Sequence, residues 1–105
     1  MNPKALFNIT YGLYVLTARQ GEKDNGCIVN TVMQVAEQPV RLAVSVSKGN
    51  LTCEMVRATG LLNVCALTTE AEFDLFRRFG FQSGRDADKF QGLAGVKRSE
   101  NGLVY

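Results

Sequence analysis

The segment VRLAVSVS, residues 40–47, alternates between two kinds of side chain. Valine and leucine occupy one set of alternate positions, while arginine, alanine and serine occupy the other. A period of two over this length predicts a β-strand, because successive side chains of a strand point to opposite faces. The second face consists mainly of small side chains. Such a face either leaves space for another group to pack there or simply faces solvent, and the sequence leaves both interpretations open.

Three further segments are rich in strand-forming residues and are predicted as strands: residues 13–18, 27–35 and 61–67. A polar stretch, residues 19–26, is predicted as the loop between the first two of them. It ends in Asn25 and Gly26, a dipeptide that is typical of tight turns. Because the strands follow one another through short links, an antiparallel sheet is favoured over a parallel one.

Two helices are predicted between and after these strands. The first is capped by Asn50 or Thr52 and ends at Gly60, where glycine tolerates the left-handed conformation of a helix end. The second follows Thr69 and Glu72, which match the T-x-x-E pattern of a capping box. The resulting fold class is mainly β with short helices.

The length and charge of the chain limit its possible classes. With 105 residues, the chain is predicted to form one domain over residues 1–105. A formal net charge of +2 is too small to predict binding to nucleic acid or to a membrane surface. The sequence contains no apolar run of membrane-spanning length, and its start does not resemble a signal peptide. We therefore expect a cytoplasmic protein.

The residues that usually perform catalysis are scarce. The chain contains no histidine, and its three cysteines are widely spaced without a CxxC motif. These features argue against a metal site and exclude nucleophile pairs that depend on histidine. The dinucleotide and P-loop fingerprints are also absent. We therefore expect no catalytic side chain and no metal, with a cofactor supplying any redox chemistry.

Two polar groups are candidate ligand contacts. Asn30, Thr31 and Gln34 lie in a predicted strand, where asparagine is unfavourable. The segment SGRDADKF, residues 83–90, combines a glycine that allows backbone N–H groups to converge on an anion with two cations suited to phosphate. The alternatives are a polar face on an edge strand for the first group and a salt-bridged surface loop for the second.

Four segments in order, LFNITYGLYVLTA, NGCIVNTVMQV, PVRLAVSVSKGNLT and SGRDADKF, together span residues 6–90. They resemble the flavin reductase-like family of FMN-binding split barrels, which includes flavoredoxin and the flavin domain of high-molecular-weight rubredoxins. The resemblance implies an antiparallel Greek-key split barrel that forms a homodimer and holds FMN non-covalently, with FAD the less favoured flavin. Family members are commonly longer, so we expect the C-terminal strands of the barrel to be missing after residue 105.

The resemblance also implies which residues contact the cofactor. Those expected along the flavin ring and ribityl chain are Asn30, Thr31, Val32 and Gln34. Those expected to form the strand end that supports the cofactor are Ser45, Val46 and Ser47. Those expected at the phosphate are Asn50 and Thr52 at a helix start, and Ser83, Gly84, Arg85 and Lys89 in the loop. Arginine is expected to contribute more than lysine there, because its planar group can bind phosphate through two parallel hydrogen bonds.

The activity implied by the resemblance is that of an NAD(P)H:flavin oxidoreductase. Electrons would pass from NAD(P)H through the flavin to an acceptor such as free flavin, ferric iron or a rubredoxin-like partner. Two alternatives remain open: an electron-carrier module without turnover of its own, and a truncated homologue that binds no flavin.

Overall fold

The computed structural model describes residues 2–105 and contains five strands, two α-helices and one 3-10 helix. In chain order these are the 3-10 helix Pro3–Asn8, β1 Tyr14–Gln20, β2 Lys23–Val29, β3 Val32–Glu37, β4 Val40–Val44, α1 Leu51–Thr59, β5 Asn63–Ala66 and α2 Phe73–Gly80. The prediction of a mainly β fold with short helices is confirmed.

The strands form two antiparallel sheets. In the first, β1 lies between β2 and β5, so that Leu16 stands opposite Cys27 on one side and Val64 on the other. The second sheet is the hairpin of β3 and β4, whose turn contains a cis peptide bond between Gln38 and Pro39. The antiparallel arrangement predicted from the short links is therefore confirmed.

The predicted turn at Asn25 and Gly26 is wrong. Both residues lie inside β2, and the chain reverses at Gly21, whose φ angle is +62°. The Asn25 side chain is fully buried and donates from Nδ2 to Oγ1 of Thr52 over 3.0 Å. A Cβ atom at position 26 would lie 3.1 Å from the ring of Phe79. Packing against α1 and α2, and not turn geometry, accounts for this dipeptide.

The strand predicted over residues 27–35 is interrupted. β2 ends before Asn30 and β3 begins after Thr31, so the chain passes from one sheet to the other at these two polar residues. The Thr31 hydroxyl donates to Oδ1 of Asn30 over 3.1 Å. A run of strand-forming residues does not reveal such a change of sheet. The predicted strand 40–47 is also shorter than expected and ends at Val44.

Helix α1 has the ends that were predicted. Oδ1 of Asn50 accepts a hydrogen bond from the backbone N–H of Thr52 over 2.9 Å, which makes Asn50 the N-cap. Gly60 ends the helix with a φ angle of +73°. Local chemistry determines both ends.

The capping box predicted for α2 is not formed. The helix starts directly after Glu72 without a side-chain cap, and the hydroxyl of Thr68 instead accepts from the backbone N–H of Glu70 in the preceding turn. Thr69 therefore has no capping role. Within residues 2–105, no helix combines the length and the apolar character needed to cross a membrane.

The core lies on the face of the first sheet that carries Leu16, Cys27 and Val29. Val44, the last residue of β4, and Val46, just after it, pack against this core. The β3–β4 hairpin is different, because four of its large apolar side chains are more than half exposed: Met33, Val35, Val40 and Leu42. The hairpin thus contacts the core through Val32 and Val44 and leaves these other apolar side chains uncovered.

Candidate functional site: a two-part groove beside helix α1

A polar pocket of about 340 Å³ lies between the start of α1 and the loop after α2. Its lining residues are Ser47, Gly49, Asn50, Leu51, Gly80, Phe81, Gln82, Ser83, Gly84 and Lys89. The first four N–H groups of a helix have no partner inside the helix. Two of them are bonded outside the helix ladder, since the Thr52 N–H donates to the Asn50 side chain and the Asn50 N–H donates to the carbonyl of Ser47. The remaining N–H groups and the helix dipole favour an anion at this end.

A second pocket, of about 500 Å³, lies beside the end of β2 and is called the strand pocket. Its lining residues are Leu13, Cys27, Ile28, Val29, Asn30, Ser45, Val46, Ser47 and Asn50. Ser47 and Asn50 line both pockets, so the two cavities are neighbouring parts of one groove. The strand pocket presents apolar side chains together with the amide of Asn30, while the polar pocket presents hydroxyl, amide and ammonium groups.

Side chains of strand β2 contact both sides of the polar pocket, the start of α1 and the loop after α2. The buried side chain of Asn25 bonds Thr52 of α1 and packs directly beneath Gly84, where a Cβ atom would lie 2.2 Å from Oδ1 of Asn25. The ammonium group of Lys23 donates to the carbonyl of Gly84 over 2.6 Å. Gly84 is therefore required by close packing. Oδ1 of Asn25 is buried without a hydrogen-bond partner among residues 2–105.

Lys89 brings a buried cation to the polar pocket. Its side chain is only 2% exposed, and its ammonium donates to the carbonyls of Gly26 (2.7 Å) and Phe79 (3.4 Å). Among residues 2–105, no carboxylate lies within ion-pairing distance of it. Burial lowers the pKa of Lys89, and the Cys27 thiol nearby opposes that shift. The ammonium carries a third N–H donor. A charge buried without a counterion is costly unless a ligand supplies one.

Arg85 lies outside the residues that line the polar pocket. Its guanidinium bonds the carboxylate of Glu54 over 2.5 Å, and both side chains are about half exposed. This bond raises the pKa of Arg85. The geometry therefore reverses the expected order of the two cations: Lys89 lines the pocket and Arg85 stands beside it.

The structure brings eight of the predicted contact residues to the groove: Asn30, Ser45, Val46, Ser47, Asn50, Ser83, Gly84 and Lys89. Five others lie elsewhere: Thr31, Val32, Gln34, Thr52 and Arg85. Val32 packs on the core, and the hydroxyl of Thr52 is engaged by Asn25. Gln34 lies on the hairpin, where its amide donates to the carbonyl of Ala36 over 3.2 Å. Each of these three side chains is therefore explained by packing or by a local hydrogen bond.

Sequence analysis missed Cys27 and Asn25. Cys27 lines the strand pocket as a buried thiol whose pKa is raised by burial. Asn25 supports Gly84 from below. An asparagine followed by a glycine is also typical of a turn. The sequence therefore gives no signal that distinguishes a turn from close packing within a strand at this position.

A third cavity, of about 220 Å³, lies on the opposite face of β1 and is almost wholly apolar. Val15 and Thr17 of β1 line it together with Phe79 and Phe90. The Thr17 hydroxyl is already bonded to the carbonyl of Val104 over 2.7 Å. This cavity offers no charge to a ligand, so the groove beside α1 is the candidate site.

The profile of the flavin reductase like domain matches residues 6–104, nearly the whole chain. The chain belongs to this family. It is 45% identical over 105 residues to a high molecular weight rubredoxin of Moorella thermoacetica, covering all of this chain and 45% of that protein. It is 36% identical over 93 residues to a ferric-chelate reductase (NAD(P)H) of Archaeoglobus fulgidus, covering 89% of this chain and 55% of that protein.

Solved structures show the same fold. An FMN-binding protein from Thermus thermophilus superimposes with a TM-score of 0.78 at 21% identity, over 93% of this chain and 55% of that one. Flavoredoxin from Methanosarcina acetivorans gives 0.76 at 24% identity, over 91% and 52%. The chain thus spans about half the length of these relatives. The family resemblance and the fold class expected from the sequence are confirmed.

Proposed function

We propose that the groove binds FMN and that the chain is the flavin-binding part of an NAD(P)H-dependent oxidoreductase. The isoalloxazine ring would lie in the strand pocket and the phosphate in the polar pocket. The relatives support this proposal, since one is named a ferric-chelate reductase (NAD(P)H) and another an FMN-binding protein.

The observation that carries the proposal is the buried ammonium of Lys89. Lys89 is among the residues that line the polar pocket, near the start of α1, and its ammonium has no carboxylate partner among residues 2–105. A phosphate monoester would provide the missing negative charge and accept hydrogen bonds. The alternative interpretation of residues 83–90, a salt-bridged surface loop, does not explain why Lys89 is buried.

The strand pocket suits the ring part of a flavin. Val29 and Val46 offer apolar contacts, while Asn30 and Ser45 offer polar groups at the same cavity. Ser47 and Asn50 connect the two pockets, which is where the ribityl chain would pass. One molecule with an apolar ring, a polyol linker and a phosphate matches this order of surfaces.

Bound FMN supplies the redox chemistry in such a site. The residues of this chain bind and orient it: Lys89 and the start of α1 hold the phosphate, and Asn30 and Ser45 fix one edge of the ring. Hydride transfer to a flavin would need no protein side chain as acid or base, which is consistent with a chain that contains no histidine. FMN is favoured over FAD because the residues that line the polar pocket include a single cation, Lys89, which can balance one phosphate.

The acceptor and the assembly are further parts of the proposal. Ferric iron and a rubredoxin-like protein are the acceptors suggested by the relatives' names, and free flavin is proposed as a third. A cytoplasmic location is also part of the proposal. The exposed apolar side chains of Met33, Val40 and Leu42 support a homodimer, because a second copy can cover them. A monomer mass in light scattering at micromolar concentration would contradict the dimer.

A second candidate is an electron-carrier module without its own turnover. It is favoured by the alignment with a high molecular weight rubredoxin, of which this chain matches only 45%. Stopped-flow mixing of the FMN-loaded chain with NADH or NADPH separates the two functions. Rapid bleaching of the flavin absorbance supports the reductase, while no bleaching supports the carrier.

The substitution Ser83→Asp tests the FMN site by placing a carboxylate in the polar pocket. We expect FMN affinity to fall about tenfold to a hundredfold, because a contact that favoured phosphate is replaced by repulsion between like charges. Riboflavin, which has no phosphate, should bind both proteins equally. Fluorescence titration measures both affinities.

The matched control is Thr69→Asp, which adds the same charge at an exposed position outside the groove. It should leave both affinities unchanged. Equal losses for FMN and riboflavin in the Ser83 variant would place the phosphate elsewhere, and a wild-type chain that binds neither flavin would refute the function.

A further inference from the structure

The ion pair between Arg85 and Glu54 joins the two walls of the polar pocket. Glu54 lies in the first turn of α1, about one turn beyond Asn50. Arg85 directly follows Gly84 in the opposite wall. Because both side chains are about half exposed, the pair lies at the solvent edge of the pocket and not at its floor.

Charge differs between the floor and the edge of this pocket. At the floor, Lys89 is a buried cation without a carboxylate partner among residues 2–105, and the N-terminus of α1 adds partial positive charge. At the edge, the guanidinium of Arg85 is already neutralised by Glu54. The pocket therefore offers positive charge for one phosphate inside, and beyond it an ion pair whose cation is already engaged.

We propose that Glu54 is a specificity-determining residue, which restricts the groove to a flavin with one terminal phosphate and opposes a flavin dinucleotide. This inference rests on the proposed binding of FMN. The second phosphate of a dinucleotide is attached to the first and extends towards solvent. At the pocket edge it would meet the pair of Glu54 and Arg85, in which the cation best suited to bind phosphate is engaged by the carboxylate.

The substitution Glu54→Gln tests this role by removing the negative charge and releasing Arg85. Riboflavin, FMN and FAD are titrated into the wild type and the variant, and dissociation constants are read from flavin fluorescence. We expect wild type to prefer FMN to FAD. In the variant, FAD affinity should rise about tenfold, because a free guanidinium binds phosphate oxygens through two hydrogen bonds. FMN should gain less, and riboflavin should not change.

Two further variants isolate the cause. Glu100→Gln removes the same charge from an exposed turn outside the groove and should leave all three affinities unchanged. The double variant Glu54→Gln with Arg85→Ala should lose the gain for FAD, since the released cation is then absent.

The outcomes separate this inference from the function on which it rests. If FMN binds the wild type and the ratio of FAD to FMN affinity is the same in Glu54→Gln, the role of Glu54 is refuted while the FMN site stands. A gain for FAD that persists in the double variant also refutes it. If the wild type binds no flavin, the proposed function fails, and the specificity role fails with it.

Discussion

The three-stranded sheet and the β3–β4 hairpin both carry many apolar side chains, but they differ in how far those side chains are buried. In the sheet, Leu16 and Cys27 are buried by α1 and by neighbouring strands. In the hairpin, Met33 and Leu42 remain more than half exposed. An isolated two-stranded hairpin is marginally stable in water. The core side chains of the sheet are therefore covered within residues 2–105, whereas the hairpin has an apolar surface that these residues do not cover.

The candidate groove and the exposed hairpin surface are also in different places. The candidate groove lies beside the three-stranded sheet, where the buried side chain of Asn25 in β2 contacts both Gly84 and Thr52. The hairpin contributes to the groove only through the chain that follows β4, at Ser45, Val46 and Ser47. The groove and the exposed apolar side chains of the hairpin therefore lie in different parts of the structure.

The substitutions Leu16→Ala and Leu42→Ala test the difference in burial between the sheet and the hairpin most directly. Leu16→Ala should lower the free energy of unfolding by about 3 kcal/mol, because it removes a fully buried side chain and leaves a cavity. Leu42→Ala should lower it by less than about 1 kcal/mol, because Leu42 is 54% exposed. Urea unfolding at low protein concentration measures both.

Equal losses would show that the two regions are equally buried in solution. A loss for Leu42→Ala that grows with protein concentration would show instead that a second copy covers the hairpin.

The next largest effect is expected at Gly84. Gly84→Ala should cost about 1–3 kcal/mol of unfolding free energy, since the new Cβ would overlap the Asn25 side chain and overpack a tight site. Gly49→Ala is the matched control, because no atom lies within 4 Å of a Cβ at that position and its φ is not positive. Thermal unfolding compares the two. If both variants are equally stable, the Asn25 side chain can move aside, and its contact with Gly84 does not fix the loop that follows α2.

The smallest effect concerns the edge of the sheet, where Asp24 accepts hydrogen bonds from Arg98 and Arg19. The Arg98 bond is the main cause that lowers the pKa of Asp24 in the folded chain, and burial opposes it. A carboxyl with a lowered folded pKa adds stability at pH above its unfolded pKa, about 3.9, and loses it as pH falls through the folded pKa.

Asp24→Asn should therefore reduce stability slightly at neutral pH and weaken its decline in acid. Unfolding measured between about pH 2 and 7 checks this sign. An unchanged acid profile would mean that other carboxyl groups dominate it.

Features determined by neighbours in sequence were predictable. Asn50 caps α1 and Gly60 ends it, because capping and left-handed glycine depend on a few adjacent residues. The turn expected at Asn25 and Gly26 failed for the opposite reason. Their roles depend on Thr52 and Phe79, which are distant in the chain, and a dipeptide cannot show which helices pack on it.

The candidate site was predictable where a strand end or a helix start lines it. Asn30, Ser45 and Ser47 all line the groove, since each follows or ends a strand near α1. Arg85 was placed at the phosphate because its chemistry suits one, yet Glu54 engages it. A sequence pattern names the cations but does not show which of them has a carboxylate partner.

Asn50 fulfils two structural requirements at once, since it caps α1 and lines both halves of the groove. Aspartate would cap the helix about equally well, but it would bring a negative charge beside the pocket that favours an anion. Serine or threonine would keep the cap without the charge, although with a shorter reach towards a ligand. The range of residues that this position can accept is therefore narrower than helix capping alone would allow.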